Sequence, residues 1–324
     1  MTENDGWEPA GPPPPPVAAR PPAANPWAAP AWHRPPRRSG GGVAGAAVAL
    51  VILVVTVGVI AVVPHELSGH ALAVPNALHR SDSAPDGVRD TPVAVPELET
   101  NPLLANGVEL NEVSCTLPEL GRTGAELSAY YEALTECLQQ AWRRALDHAH
   151  EPSQRVSVSV TLTKVSACGS APSKDQAVAY YCGGDSTIYA PTDWMLADAG
   201  QNPSRHLATI AHEYGHHVQD ESGILAAAGD RMTSPNQDAP HDRALVRRIE
   251  LQANCFGALF IAAAEGRGSI SRATANAAVA DYGRADDSGD HGSRVNQLAW
   301  AKAGFSVGTT SACNTWSAPD SEVS

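Results

Sequence analysis

The sequence predicts an α+β domain, rich in helix with a small antiparallel sheet, preceded by a single transmembrane helix. Three observations carry this. Residues 43–63 form an uncharged apolar run long enough to cross a bilayer core as a helix. Residues 124–149, 204–219, 243–265 and 270–282 have the composition and periodicity of helices. Residues 155–165 alternate apolar and polar side chains, and residues 178–190 resemble a hairpin.

The first 42 residues are dominated by Pro, Ala and Gly, with an unbroken run at Pro12 to Pro16. Such a segment cannot bury a core, and it reads as a disordered, partly polyproline arm. The apolar run that follows is VAGAAVALVILVVTVGVIAVV. Arg34, Arg37 and Arg38 flank it on the near side, whereas no Lys or Arg follows until Arg80. The positive-inside rule therefore places the N-terminus in the cytoplasm and everything after residue 63 outside. A cleaved signal peptide, with Ala71-Leu72-Ala73 as its cleavage pattern, is the rival reading. The long preceding arm and the length of the apolar run favour an anchor. The chain is thus expected to be a single-pass protein of the cell membrane. Residues 64–104 read as an extracytoplasmic linker, 105–316 as the globular domain and 317–324 as a tail.

Within the domain, residues 124–149 place Leu127, Tyr130, Tyr131, Leu134, Leu138 and Trp142 on one broad face of a helix. In residues 155–165, Val156, Val158, Val160 and Leu162 fall on one side of a half-buried strand. The hairpin is expected to turn at Gly183-Gly184-Asp185, and Ser204 is a plausible N-cap for the helix that follows. Six cysteines, at positions 115, 137, 168, 182, 255 and 313, all lie beyond the apolar run. An even number on one side of a membrane segment points to disulfides in an oxidising compartment. Proximity along the chain favours Cys115–Cys137, Cys168–Cys182 and Cys255–Cys313, among fifteen possible pairings. The formal charge of −13 lacks the basic footprint of a nucleic-acid binder.

Chemistry concentrates at residues 212–219, HEYGHHVQ. On a helix, His212 and His216 stand on one face about 6 Å apart, so each can offer a ring nitrogen to one zinc ion. Glu213 is displaced by one residue, where it can take a proton from a zinc-activated water. His217 points off that face and is expected to be structural. A third ligand is needed, and Glu250 offers one. It sits among Ile249, Leu251, Ala253 and Phe256 on an apolar helix, where a lone carboxylate is costly unless paired or metal-bound. A salt bridge to Arg247 or Arg243 is the alternative for Glu250. Asn254, four residues on, suits the outer layer as an acceptor for a histidine N–H. His291 is the candidate oxyanion donor, with Tyr282 and Tyr189 as weaker ones. The strand around Ile188 and Tyr189 is the candidate edge for aligning an extended peptide.

These segments together resemble the bacterial neutral zinc metallopeptidases. HEYGHHVQ (212–219), RRIELQANC (247–255), HGSRVNQLAWAKAGF (291–305), ACNTW (312–316) and the hairpin AYYCGGDSTIY (179–189) occur in that family's order and spacing over about residues 105–316. The resemblance implies a zincin-like α+β domain, one zinc ion held by His212, His216 and Glu250, and Glu213 as general base. Asn254 departs from the family pattern, which often has Asp there. The expected partner is a peptide or protein substrate. The competing expectation is a catalytically weak or inactive binding module of the cell envelope that keeps the zincin fold.

Overall fold

In the computed structural model, the described residues are 98–233, 239–284 and 289–324. All of them fall within one unit, Pro64–Ser324. The apolar run at 43–63 and the arm before it lie outside the described residues. Among the described residues, no helix is long and apolar enough to cross a membrane.

The first helix, α1 (Gly124–Ala149), begins at a capping box. Thr123 accepts from the Glu126 backbone N–H, and the Glu126 carboxylate accepts from the backbone N–H groups of Thr123 and Arg122 at 2.9 Å each. Such a cap contributes about 1 kcal/mol. All six residues of its anticipated apolar face are buried, and Trp142 meets Phe256 edge-on at 5.1 Å between ring centres.

The alternating stretch forms a shorter strand than its pattern implies. Only β1 (Ser157–Ser159) pairs, and Leu162 is 56% exposed. The chain leaves the sheet at Val160, whose carbonyl accepts from the Thr192 backbone N–H at 2.9 Å. A two-stranded ribbon follows, β2 (Val165–Ser166) with β3 (Gly169–Ser170), and then the hairpin of β4 (Tyr180–Cys182) and β5 (Thr187–Tyr189). The three-stranded sheet has the order β1-β5-β4, with β1 parallel and β4 antiparallel to β5. It is therefore mixed rather than antiparallel. Central β5 carries Ile188 and Tyr189 and has partners on both sides, so it offers no edge to a peptide.

Helix α2 (Thr192–Ala199) leads into α3 (Pro203–Glu221). The N-cap of α3 is Asn202, not Ser204. Its side chain accepts from the Ser204 N–H at 3.1 Å, and Pro203 occupies the first turn, where a missing N–H is harmless. After α4 (Ile224–Gly229) come α5 (Pro240–Ala264), α6 (Arg272–Asp281) and α7 (Arg294–Val307). Helices α3 and α5 approach closely because glycines line their contact. A Cβ on Gly215 would lie 2.9 Å from the Ala253 carbonyl oxygen, and one on Gly257 would lie 3.1 Å from that of Ala211. Gly304 does the same for α7, where a Cβ would overlap the Cys255 carbonyl.

Disulfides join Cys115 to Cys137, Cys168 to Cys182 and Cys255 to Cys313. The last closes a separation of 58 residues, worth about 4 kcal/mol in the chain-entropy picture. Both domain boundaries extend beyond those read from sequence. Leu98 and Leu103 are fully buried, and the Asn101 amide donates to the Ser222 carbonyl at 2.9 Å, so the end of the supposed linker belongs to the core. The supposed tail is also packed. Val323 is buried, Arg248 binds the carbonyls of Thr315 and Ala318, and the Trp300 indole donates to the Glu322 carbonyl.

Candidate metal centre

Helix α3 brings His212, Glu213 and His216 to one buried face, and α5 brings Glu250 opposite them. His212, Glu213 and His216 are at most 4% exposed, and Glu250 is 1% exposed. The two histidine Nε2 atoms lie 3.0 Å apart. Glu250 Oε2 lies 3.2 Å from His212 Nε2 and 3.5 Å from His216 Nε2. Among the described residues, these three make the group able to share one metal ion, with all three ligand atoms within 4.8 Å of one another. Arg247, the rival partner for Glu250, instead donates to the carbonyls of Val323 and Gly289.

The outer contacts decide which nitrogen of each ring faces inward. His212 Nδ1 lies 2.8 Å from Asn254 Oδ1, and His216 Nδ1 lies 2.8 Å from Gln219 Oε1. An amide oxygen only accepts, so each Nδ1 is the donor. With both rings neutral, as a metal requires, the two Nε2 lone pairs point at each other and at a carboxylate oxygen. Three acceptors converging in a buried space call for a cation between them. Two imidazoles and one carboxylate are also the donor set suited to zinc. The residues present therefore fit that ion.

Protonation follows the same logic. Burial works against a charged His216, but the Glu250 carboxylate outweighs it and lifts His216 to about 9. Burial keeps His212 neutral, its pKa lowered. Burial would raise Glu250, yet the charge of His216 and the hydrogen bond from that ring hold it well below its usual range. Glu213 has weaker help. Neither of its oxygens has a hydrogen-bond partner of normal geometry, and burial lifts it to about 8, opposed by His216 and by the nearby Tyr181 backbone N–H.

A pH dependence follows for metal-free protein. His216 and Glu213 hold protons more tightly folded than unfolded. Their stabilising contributions are complete below the ordinary values of 6.5 and 4.5, and they are lost as pH rises through about 9 and about 8. Glu250 has the opposite sign, contributing above its ordinary range and losing that contribution in acid. In excess chelator, the melting temperature should fall between roughly pH 6 and roughly pH 9.5. A flat or rising profile would contradict this charge arrangement.

Other anticipated residues divide clearly. His291 reaches the site, with Nε2 3.5 Å from Glu250 Oε2. Tyr282 does not serve it, because its hydroxyl donates to the Ala208 carbonyl at 2.9 Å. Tyr189 stacks on Tyr180 and donates to Asp185 at 2.8 Å. His217 points away, between Tyr181 and Tyr214, and donates to the Gln154 carbonyl at 3.0 Å. Gln219 was not singled out in the sequence. Its position three residues after His216 was the available signal, since i and i+3 are neighbours on a helix.

A helix-rich fold with two histidines one turn apart, a carboxylate between them in sequence and a second carboxylate from a crossing helix is the arrangement of a metallopeptidase-type centre. The chain belongs to the family described as "putative neutral zinc metallopeptidase", whose family model matches residues 121–316. It is 26% identical over 256 residues to an uncharacterized protein of Mycobacterium tuberculosis, covering 69% of this chain and 80% of that relative. An uncharacterized protein of Mycobacterium bovis matches to the same extent. The uncharacterized protein YpfJ of Escherichia coli K12 is 30% identical over 157 residues, covering 42% of this chain and 53% of YpfJ. No solved structure matches the chain.

Proposed function

We propose that the chain is a membrane-anchored, extracytoplasmic metallopeptidase holding one zinc ion through His212, His216 and Glu250, with Glu213 as general base. One observation carries this reading: three buried acceptor atoms converge, with the buried Glu213 carboxylate on the same helix as the two histidines. The ion supplies Lewis acidity to the peptide carbonyl and acidifies the attacking water. The Glu213 carboxylate accepts the water's proton and returns it to the leaving amine nitrogen. A pKa raised by burial makes that return favourable. His291, beside Glu250, donates to the developing oxyanion. An extended substrate aligns along β4, the outer strand, whose Tyr181 N–H lies next to Glu213.

The uncharged run at 43–63 and its arginine flank support the anchor, and three disulfides support an oxidising compartment. The intact Glu213 argues against a binding module alone, which has no use for a base. The test is zinc analysis of the purified full chain in detergent, with cleavage of a proteome-derived peptide library. One zinc per chain and chelator-sensitive cleavage are expected. Stoichiometric zinc with no peptide cleaved would favour the binding module instead.

A further inference from the structure

We propose that Gln219 and Gln252 are positioning residues that lock the tautomer and aim of His216, through an amide relay ending on the disulfide-bound Cys313. The proposal rests on the zinc reading of the site.

Both glutamines are fully buried. Gln219 Oε1 faces His216 Nδ1 at 2.8 Å. Its Nε2 donates to the Ile249 carbonyl at 2.9 Å and to Gln252 Oε1 at 3.0 Å. Gln252 Nε2 in turn donates to the Cys313 carbonyl at 3.0 Å. An isolated amide can flip, exchanging its oxygen and its NH2. These two cannot do so freely, because each has its NH2 against a backbone carbonyl that only accepts. The carbonyls of Ile249 and Cys313 therefore set the polarity of the whole chain, and its last acceptor is presented to His216. The ring must offer Nδ1–H outward and keep the Nε2 lone pair inward, toward Glu250 and His212.

The relay also ties three distant segments together. Gln219 is on α3, Gln252 is on α5, and Cys313 is held to α5 by its bond to Cys255. His212 has a much shorter support on its outer side, where Nδ1 meets Asn254. The two histidines thus differ in how far their orientation depends on the rest of the fold.

The experiment compares full-length wild type, Gln219→Met, Gln252→Met and the double variant. Methionine keeps the shape of the side chain and removes the amide. Zinc dissociation constants come from competition with a chromophoric chelator, and the absorption spectrum of the cobalt form reports ligand geometry. Melting of the metal-free proteins reports folding. Gln219→Met is expected to weaken zinc binding about 10- to 100-fold and to change the cobalt spectrum. Gln252→Met touches no ligand, yet should weaken zinc binding in the same direction, because it removes one of the two acceptors that hold the Gln219 NH2 and leaves only the Ile249 carbonyl to set its polarity. The double variant should bind about as weakly as Gln219→Met alone, since the second glutamine acts only through the first. Additive losses, or wild-type zinc affinity and cobalt spectrum in either folded single variant, overturn the relay. Should Gln219→Met not fold, Gln252→Met decides alone. Wild type that binds no zinc overturns the underlying site reading, a result distinct from bound zinc with indifferent variants.

Discussion

Glu213→Gln should keep zinc at wild-type stoichiometry and slow peptide hydrolysis by about 10²- to 10⁴-fold, the range general-base catalysis contributes. The substitution preserves shape but removes the ability to accept a proton. Glu213 is not one of the three converging groups and makes no normal hydrogen bond to them, so ion binding should be spared. Stability supplies an independent check. Burial, helped by the Glu250 charge, lifts the carboxyl to about 8, so above that pH the wild type holds a buried charge. The glutamine variant lacks that charge, and its metal-free form should lose less stability than wild type as pH rises. Steady-state rates, zinc analysis and melting in chelator measure the three effects. Hydrolysis within tenfold of wild type would remove Glu213 from the role of base.

Gly215→Val should damage both the fold and the site. Gly215 lies between His212 and His216 on α3, and a Cβ there would already press on the Ala253 backbone of α5. A branched side chain must push the helices apart, and overpacking of this kind costs about 1–3 kcal/mol. For a domain of this size that is a fall of about 2–12 °C in melting temperature. The separation also matters chemically. Glu250 is on the displaced helix, and its carboxylate reaches both histidines only because the backbones meet closely. Zinc affinity should therefore fall along with stability, although no ligand has been changed. Calorimetry and chelator competition test this. An unchanged affinity would mean that the ligand geometry tolerates displacement of α5.

How much of this was legible in the sequence depended on the range of each interaction. The spacing of His212 and His216 is a local consequence of helical pitch, and the apolar neighbours of Glu250 already marked it as buried. The six-residue apolar face of α1 was equally readable. By contrast, α7 buries Gln297, Ala301 and Gly304 while Val295 is 77% exposed, so hydrophobic periodicity carried no signal there. The strand at 155–165 was overestimated because alternation reports side-chain exposure but not where backbone pairing stops. The placement of Ile188 and Tyr189 failed for a related reason: pattern does not say which strands flank which.

The sequence by itself determined the pair of histidines, the carboxylate beside them, the candidate third ligand and the apolar run before the domain. All of these follow from composition or from spacing within one element. Only the tertiary structure decided that Glu250 meets both Nε2 atoms, that Asn254 and Gln219 turn the rings inward, and that His291 rather than Tyr282 or Tyr189 stands at the site. Hydrogen bonds act over about 3 Å, and residues as far apart in sequence as His212 and Asn254 meet at that distance only after glycines have let the helices close.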